Sequence, residues 1–187
     1  MHNAHSDVEA VRAQTLHWLE QAVIGLNLCP FAKAVYNKGQ VRVVVSAAKH
    51  LDAFLDELDA ELLLLRDTPA AEVDTTLMVH PGLFPEFLVF NDFLNIVDDV
   101  VAEHELEGVV QVVPFHPEFL FGGEDEADMS HYTNRAPFPM LHLLREDSLS
   151  AAIDAHGDTE AIPERNKAVL RELGLHGWRK LMTAGAN

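Results

Sequence analysis

Val41-Arg42-Val43-Val44-Val45 is followed by Ser46 and then by Leu51, Phe54, Leu55, Leu58, Leu62 and Leu65 at helical spacing. Valine is stiff at χ1 and suits a pleated surface, so four valines in five positions read as a buried strand. Ser46 stands where a helix cap is needed. The same alternation continues outward. Thr75 to Val79 reads as a second strand. Phe87, Phe90, Leu94, Val97 and Val101 mark a helix that Gly108 ends, and Val109 to Val113 reads as a third strand. Strand, helix, strand, helix, strand predicts an α/β fold. Its centre is a mostly parallel sheet of three to four strands with flanking helices.

On the N-terminal side, Ser6 with Glu9 resembles a capping box. Val8, Val11, Thr15, Trp18, Leu19, Ala22, Val23 and Leu26 then share one helical face. Asn27-Leu28-Cys29-Pro30 interrupts this N-terminal helical segment. Pro30 suits the first position of a second helix, expected to run to Asn37 or Lys38 and to stop at Gly39. On the C-terminal side, Met140 to Arg145 is read as a fourth strand, because Pro137 and Pro139 precede it and Asp147 or Ser148 can cap a following helix. A last helix is expected from Pro163 to Leu173, ended by Gly174. The 187 residues fit one domain, with N-terminal helices over 6–38, a sheet core over 41–146 and C-terminal helices over 148–180.

Hydrophobic residues make up 48% of the chain, enough to form a core without a metal or disulfide staple. The formal charge of −17 repels phosphate backbones and anionic lipid, so neither nucleic acid nor a membrane is expected as a partner. Cys29 is the single cysteine, which excludes an internal disulfide and suits a reducing compartment. With a polar Met1 to Asp7 and no bilayer-length apolar run, the expected location is the cytoplasm.

If the first three strands run parallel, their carboxyl ends bring Ser46, His80 and His116 to one edge, where ligands of open α/β sheets usually bind. His80 and His116 each precede a proline that halts the strand. Arg135 lies in a proline-rich and aromatic turn, where a guanidinium can fork onto a carboxylate or phosphate. Its plainer reading is an ion pair with Glu124, Asp125 or Asp128 of the preceding acidic loop. His142, between leucines, reads first as a satisfied core histidine. Cys29 beside a helix start would be favoured as thiolate, and otherwise packs as a small hydrophobe. A mixed metal site from His80, His116, His131 and His142 with Glu124, Asp125 or Asp128 lacks any HxH, HxxxH or HExxH spacing. No Walker A, GxGxxG or GxSxG motif occurs, so no cofactor is indicated.

Three blocks carry a resemblance: Gly25-Leu26-Asn27-Leu28-Cys29-Pro30-Phe31-Ala32, Phe115-His116-Pro117, and Thr133 to Arg145. Ile162-Pro163-Glu164-Arg165-Asn166 and Leu173-Gly174 add to it. On these blocks the chain resembles a bacterial family known as domain of unknown function 1415. The resemblance implies no reaction, but it raises Cys29, His116, Asn134, Arg135, His142 and Arg145 as site candidates. The expectation is a small-molecule enzyme with its pocket at the carboxyl edge. His116, Cys29 and His142 would do the chemistry, while Asn134, Arg135, Arg145 and His80 would hold an anionic substrate. The alternative is a non-catalytic ligand-binding or interaction module. Its mark is an apolar pocket whose histidines are satisfied by backbone.

Overall fold

Strand β1 (Val41–Val45) pairs in parallel with β2 (Thr75–Val79), and helix α3 (Leu51–Asp67) connects them. Helix α4 (Phe87–Glu103) then leads to β3 (Val110–Phe115). This computed structural model describes residues 3–157 and 159–183. Helix α1 covers Asn3–Trp18, so Ser6 lies inside it and not at its cap. The short helix α2 covers Ala32–Asn37. Strand β4 is Met140–Arg145, followed by α5 (Glu146–His156) and α6 (Ile162–Thr183).

The sheet order is β1-β2-β4-β3, and its character corrects the expected mostly parallel arrangement. Strand β4 lies antiparallel to both β2 and β3, so the sheet is mixed. The physical reason is the connection between β3 and β4. It contains only a short 3₁₀ turn, Met129–Thr133, and no crossover helix. The chain leaves at Phe115 and re-enters at its register partner Met140, which forces the returning strand to run backwards. Strands β1, β2 and β3 still point the same way, so Ser46, His80 and His116 do follow strand ends at one edge.

Burial explains the strand order. All five residues of β2 are buried, as a central strand requires, while β1 and β3 form the edges. An edge position accommodates Pro114, which has no N–H for a second ladder. At the other edge Arg42 reaches out of β1 and grips the buried Glu61 of α3 through two 2.9 Å bonds.

Helices cover both faces of the sheet. On one face Phe54, Leu58 and Leu62 of α3 and Phe90, Phe93 and Val97 of α4 pack on Met78, Leu141 and Leu143. Each such side chain contributes roughly 1.5–3 kcal/mol by leaving water. On the other face Trp18, Leu19, Ala22, Leu170 and Trp178 pack on Val43, Leu77, Val79 and Met140. No described helix is long and apolar enough to cross a membrane.

Several element ends differ from expectation. Helix α1 passes directly into a π-helix, Leu19–Ile24, which closes with Gly25 N–H donating to Glu20 across 2.9 Å. A Cβ at Gly25 would collide with the carbonyl oxygen of Gln21, so only glycine fits there without a backbone shift. Pro30 belongs to a turn in which Ala32 N–H donates to the Cys29 carbonyl, and α2 begins two residues after Pro30. Gly39 (φ 70°) ends α2 as expected, with Gln40 N–H bonded back to Val35. Ser46 does not cap α3. Its hydroxyl accepts from Ala48 N–H in a local turn, and α3 starts at Leu51. Helix α5 starts at Glu146, directly after β4, so neither Asp147 nor Ser148 caps it. Gly174 (φ 64°, ψ 172°) leaves the helical conformation, so a helix does end there as expected, and a second one continues α6 beyond the kink to Thr183.

Candidate functional site

Strand alternation places His142 and Leu144 on the sheet face that α1 covers, beside Thr75 and Leu77 of the neighbouring strand. There Thr75 and His142 lie against each other. The Thr75 hydroxyl donates to the Leu143 carbonyl across 2.7 Å, and its oxygen lies 2.6 Å from His142 Nε2. A hydroxyl has one proton, so Nε2 must be the donor in the second bond. This fixes the tautomer. His142 carries its proton on Nε2, and Nδ1 is left as an acceptor with no partner among the described residues. Burial holds the imidazole pKa down to about 4, so the ring is neutral at physiological pH.

His142 and Thr75 line a cavity of about 280 Å³ between the sheet and the chain from Leu28 to Val35. Trp18, Leu19, Val23, Val35, Leu77 and Phe115 give it a mainly apolar wall. Cys29, Asn134 and Arg145 also border it, as do Asp74 and Ser148. Asn134 donates its amide Nδ2 to the Pro114 carbonyl across 3.0 Å, which leaves Oδ1 as a second open acceptor. Asp74 accepts from the Ser148 hydroxyl at 2.5 Å. Arg145 commits Nε and Nη2 to the protein, donating to the Val73 carbonyl and to the carbonyl of Thr68 at the end of α3. The polar groups left for a ligand include the acceptors His142 Nδ1 and Asn134 Oδ1, together with the Thr133 hydroxyl and the Cys29 thiol that border the same space.

The cavity lies on the face of the sheet, near the edge where β1 and β2 begin, and not at the carboxyl edge. Helix α6 holds the Asn27-Leu28 turn at its rim. Asn166 of α6 is buried and donates Nδ2 to the Leu28 carbonyl across 2.7 Å, while Arg165 donates to the carbonyl of Asn27. Asn27 itself takes a left-handed conformation (φ 54°).

His80, His116 and His131 are elsewhere, and all three are built alike. Each is at most 2% exposed. His116 Nε2 donates to the Phe84 carbonyl across 2.9 Å, and its Nδ1 accepts from Glu118 N–H across 3.0 Å. His80 bonds Ala48 and the Leu83 N–H in the same manner, and His131 bonds Asp125 and Phe121. Burial lowers the pKa of His80. With both nitrogens engaged by backbone, these rings stitch loops together and have no lone pair for a metal. Among the described residues, no group of three or more His, Cys, Asp or Glu is placed to hold a metal ion.

Arg135 borders a second, wider groove and not the cavity. Its guanidinium stacks 4.4 Å above the Tyr132 ring, and Nε donates to the Phe119 carbonyl across 3.2 Å. The ion pair expected with the acidic loop is not formed. Glu124 and Asp128 pair instead with Lys167 and Arg171 of α6, and Arg171 with Ser130 N–H holds the Asp128 carboxyl down to about 2.

The blocks that border these two spaces extend through most of the chain. A family model described as "Protein of unknown function (DUF1415)" matches residues 10–180. The chain belongs to this DUF1415 family. No curated protein and no solved structure was found that matches it. In this DUF1415 chain, sequence reasoning passed over Trp18, Asp74, Thr75 and Ser148 as cavity residues. The available signal was the polar pair Asp74-Thr75 opening an otherwise apolar strand.

Proposed function

We propose that this chain binds a small, mainly apolar molecule carrying one hydrogen-bond donor in the cavity bordered by Cys29, Asn134 and His142. The observation that carries the reading is the fixed tautomer of His142. Its Nδ1 has no partner among the described residues, and the ring borders a mainly apolar space, so the acceptor is open to a donor on a ligand. An apolar cavity of about 150 Å³ holds benzene, so this one has room for a bicyclic ring. Asp74 and the outward-bonded guanidinium of Arg145 disfavour an anion in this space. An imidazole held near pKa 4 is a weak base at neutral pH, and His116 has no nitrogen free for proton transfer. Binding is therefore favoured over catalysis.

One observation favours a catalytic version. Cys29 and His142 border the same cavity, so a thiol stands near any bound molecule. Cys29 also provides the test, as the single cysteine. A ligand in the cavity should slow alkylation of Cys29 in a saturable way, and His142→Leu should weaken that protection. Unchanged alkylation across a set of small aromatic donors would remove the support for this reading.

A further inference from the structure

Beyond the apolar cavity, we propose that the groove beside Arg135 is a second site, built for the carboxylate of a small organic acid. The groove lies past the end of β3, between α1, the turn Tyr132–Pro137 and the last turns of α6, and encloses about 500 Å³. It is rich in donors, with the guanidiniums of Arg135 and Arg179 on one groove. Arg135 uses only Nε internally, so both Nη groups remain for a ligand. Stacking on Tyr132 fixes the plane of the guanidinium and so the direction of its fork. The side chains of Arg179, Gln14 and Trp178 border the same groove. None of the three has a hydrogen-bond partner among the described residues.

The charge balance sharpens the point. The chain has 30 acidic residues against 13 Lys and Arg, yet among the described residues no Asp or Glu lines this groove or pairs with Arg135 or Arg179. Two guanidiniums that border one groove without a carboxylate are stabilised when an anion arrives there. The remaining wall is apolar, from Trp178, Met182, Leu175 and Pro137, and suits the body of an aromatic or branched acid. His17 completes the rim, with Nε2 bonded to the Leu181 carbonyl at 3.1 Å.

The test is a benzoate titration at constant ionic strength, followed by the indole N–H resonance of Trp178. Saturable movement of that resonance is expected. Arg135→Gln should weaken the affinity about tenfold and the exposed Arg179→Ala about threefold. Arg179 makes no side-chain bond among the described residues, so its truncation leaves the fold intact even if the Arg135 variant does not fold. Benzoate should leave the alkylation rate of Cys29 unchanged, which separates this site from the apolar cavity. Linear, unsaturated movement, equal affinity in both variants, or saturation by inorganic phosphate in place of benzoate would each overturn the proposal.

Discussion

Thr75 and His142, from adjacent antiparallel strands, share a hydrogen bond of 2.6 Å that decides which ring nitrogen of His142 is left as an acceptor. The hydroxyl acts twice, as donor to the Leu143 carbonyl and as acceptor from the imidazole. Thr75→Val keeps the shape but strands both partners in a buried place. A loss of about 2 kcal/mol is expected in denaturant unfolding. Thr75→Ser, which retains the hydroxyl, should recover most of it.

Protonation of His142 links the same bond to pH. Its folded pKa of about 4 lies below the unfolded value of 6.5, so the unfolded chain binds the proton more readily. The neutral ring's contribution is fully present above pH 6.5 and is lost as pH falls from there to 4. The loss is at most about 3 kcal/mol. Asp128, held down to about 2, acts in the separate window below 3.8. His80 adds to the upper window in the same direction. Stability measured from pH 7 to 4 should therefore fall less steeply in His142→Leu than in the parent.

Asn166 ties α6 to the cavity rim through the Leu28 carbonyl. Asn166→Ala leaves that carbonyl unpaired and should cost about 1–2 kcal/mol. A looser Leu28–Pro30 turn should also expose Cys29, so alkylation should accelerate by more than the change in global stability accounts for. Equal alkylation rates would show that the turn is held by other contacts.

Gly25 tests the π-helix. A methyl group at this position meets the Gln21 carbonyl, so Gly25→Ala must shift the backbone that carries Leu19 and Val23 along the cavity wall. A cost of about 1–3 kcal/mol is expected, visible as a lower melting temperature. A neutral result would mean that the π-helix converts to α-helix without strain.

The sheet was legible where periodicity and connection length agree. The runs at Val41 and Thr75 and the whole of β4 stand where the apolar pattern puts them, and Gly39 stops its helix through the left-handed conformation it was expected to supply. Strand direction was not legible, because a long polar loop is compatible with either a crossover or a return. The insertion of β4 between β2 and β3 is a tertiary choice with no local signal. Among the site candidates, a proline after each of His80 and His116 marked a strand end correctly, but the sequence cannot show that backbone occupies both nitrogens. Arg135 illustrates the same limit. Its nearness to acidic residues in sequence suggested an ion pair, whereas α6, far along the chain, supplies the cations for that loop.

The central claim is that His142 Nδ1 accepts a hydrogen bond from a ligand inside the apolar cavity. Indole and indene have nearly the same shape, and only indole carries an N–H donor. Calorimetric titration of both against the parent protein and His142→Leu tests the claim most directly. Saturable binding of indole is expected, with a preference over indene of about two- to tenfold that is lost or reversed in the variant. Tighter binding of indene to the parent, or an indole preference that survives in His142→Leu, would contradict it.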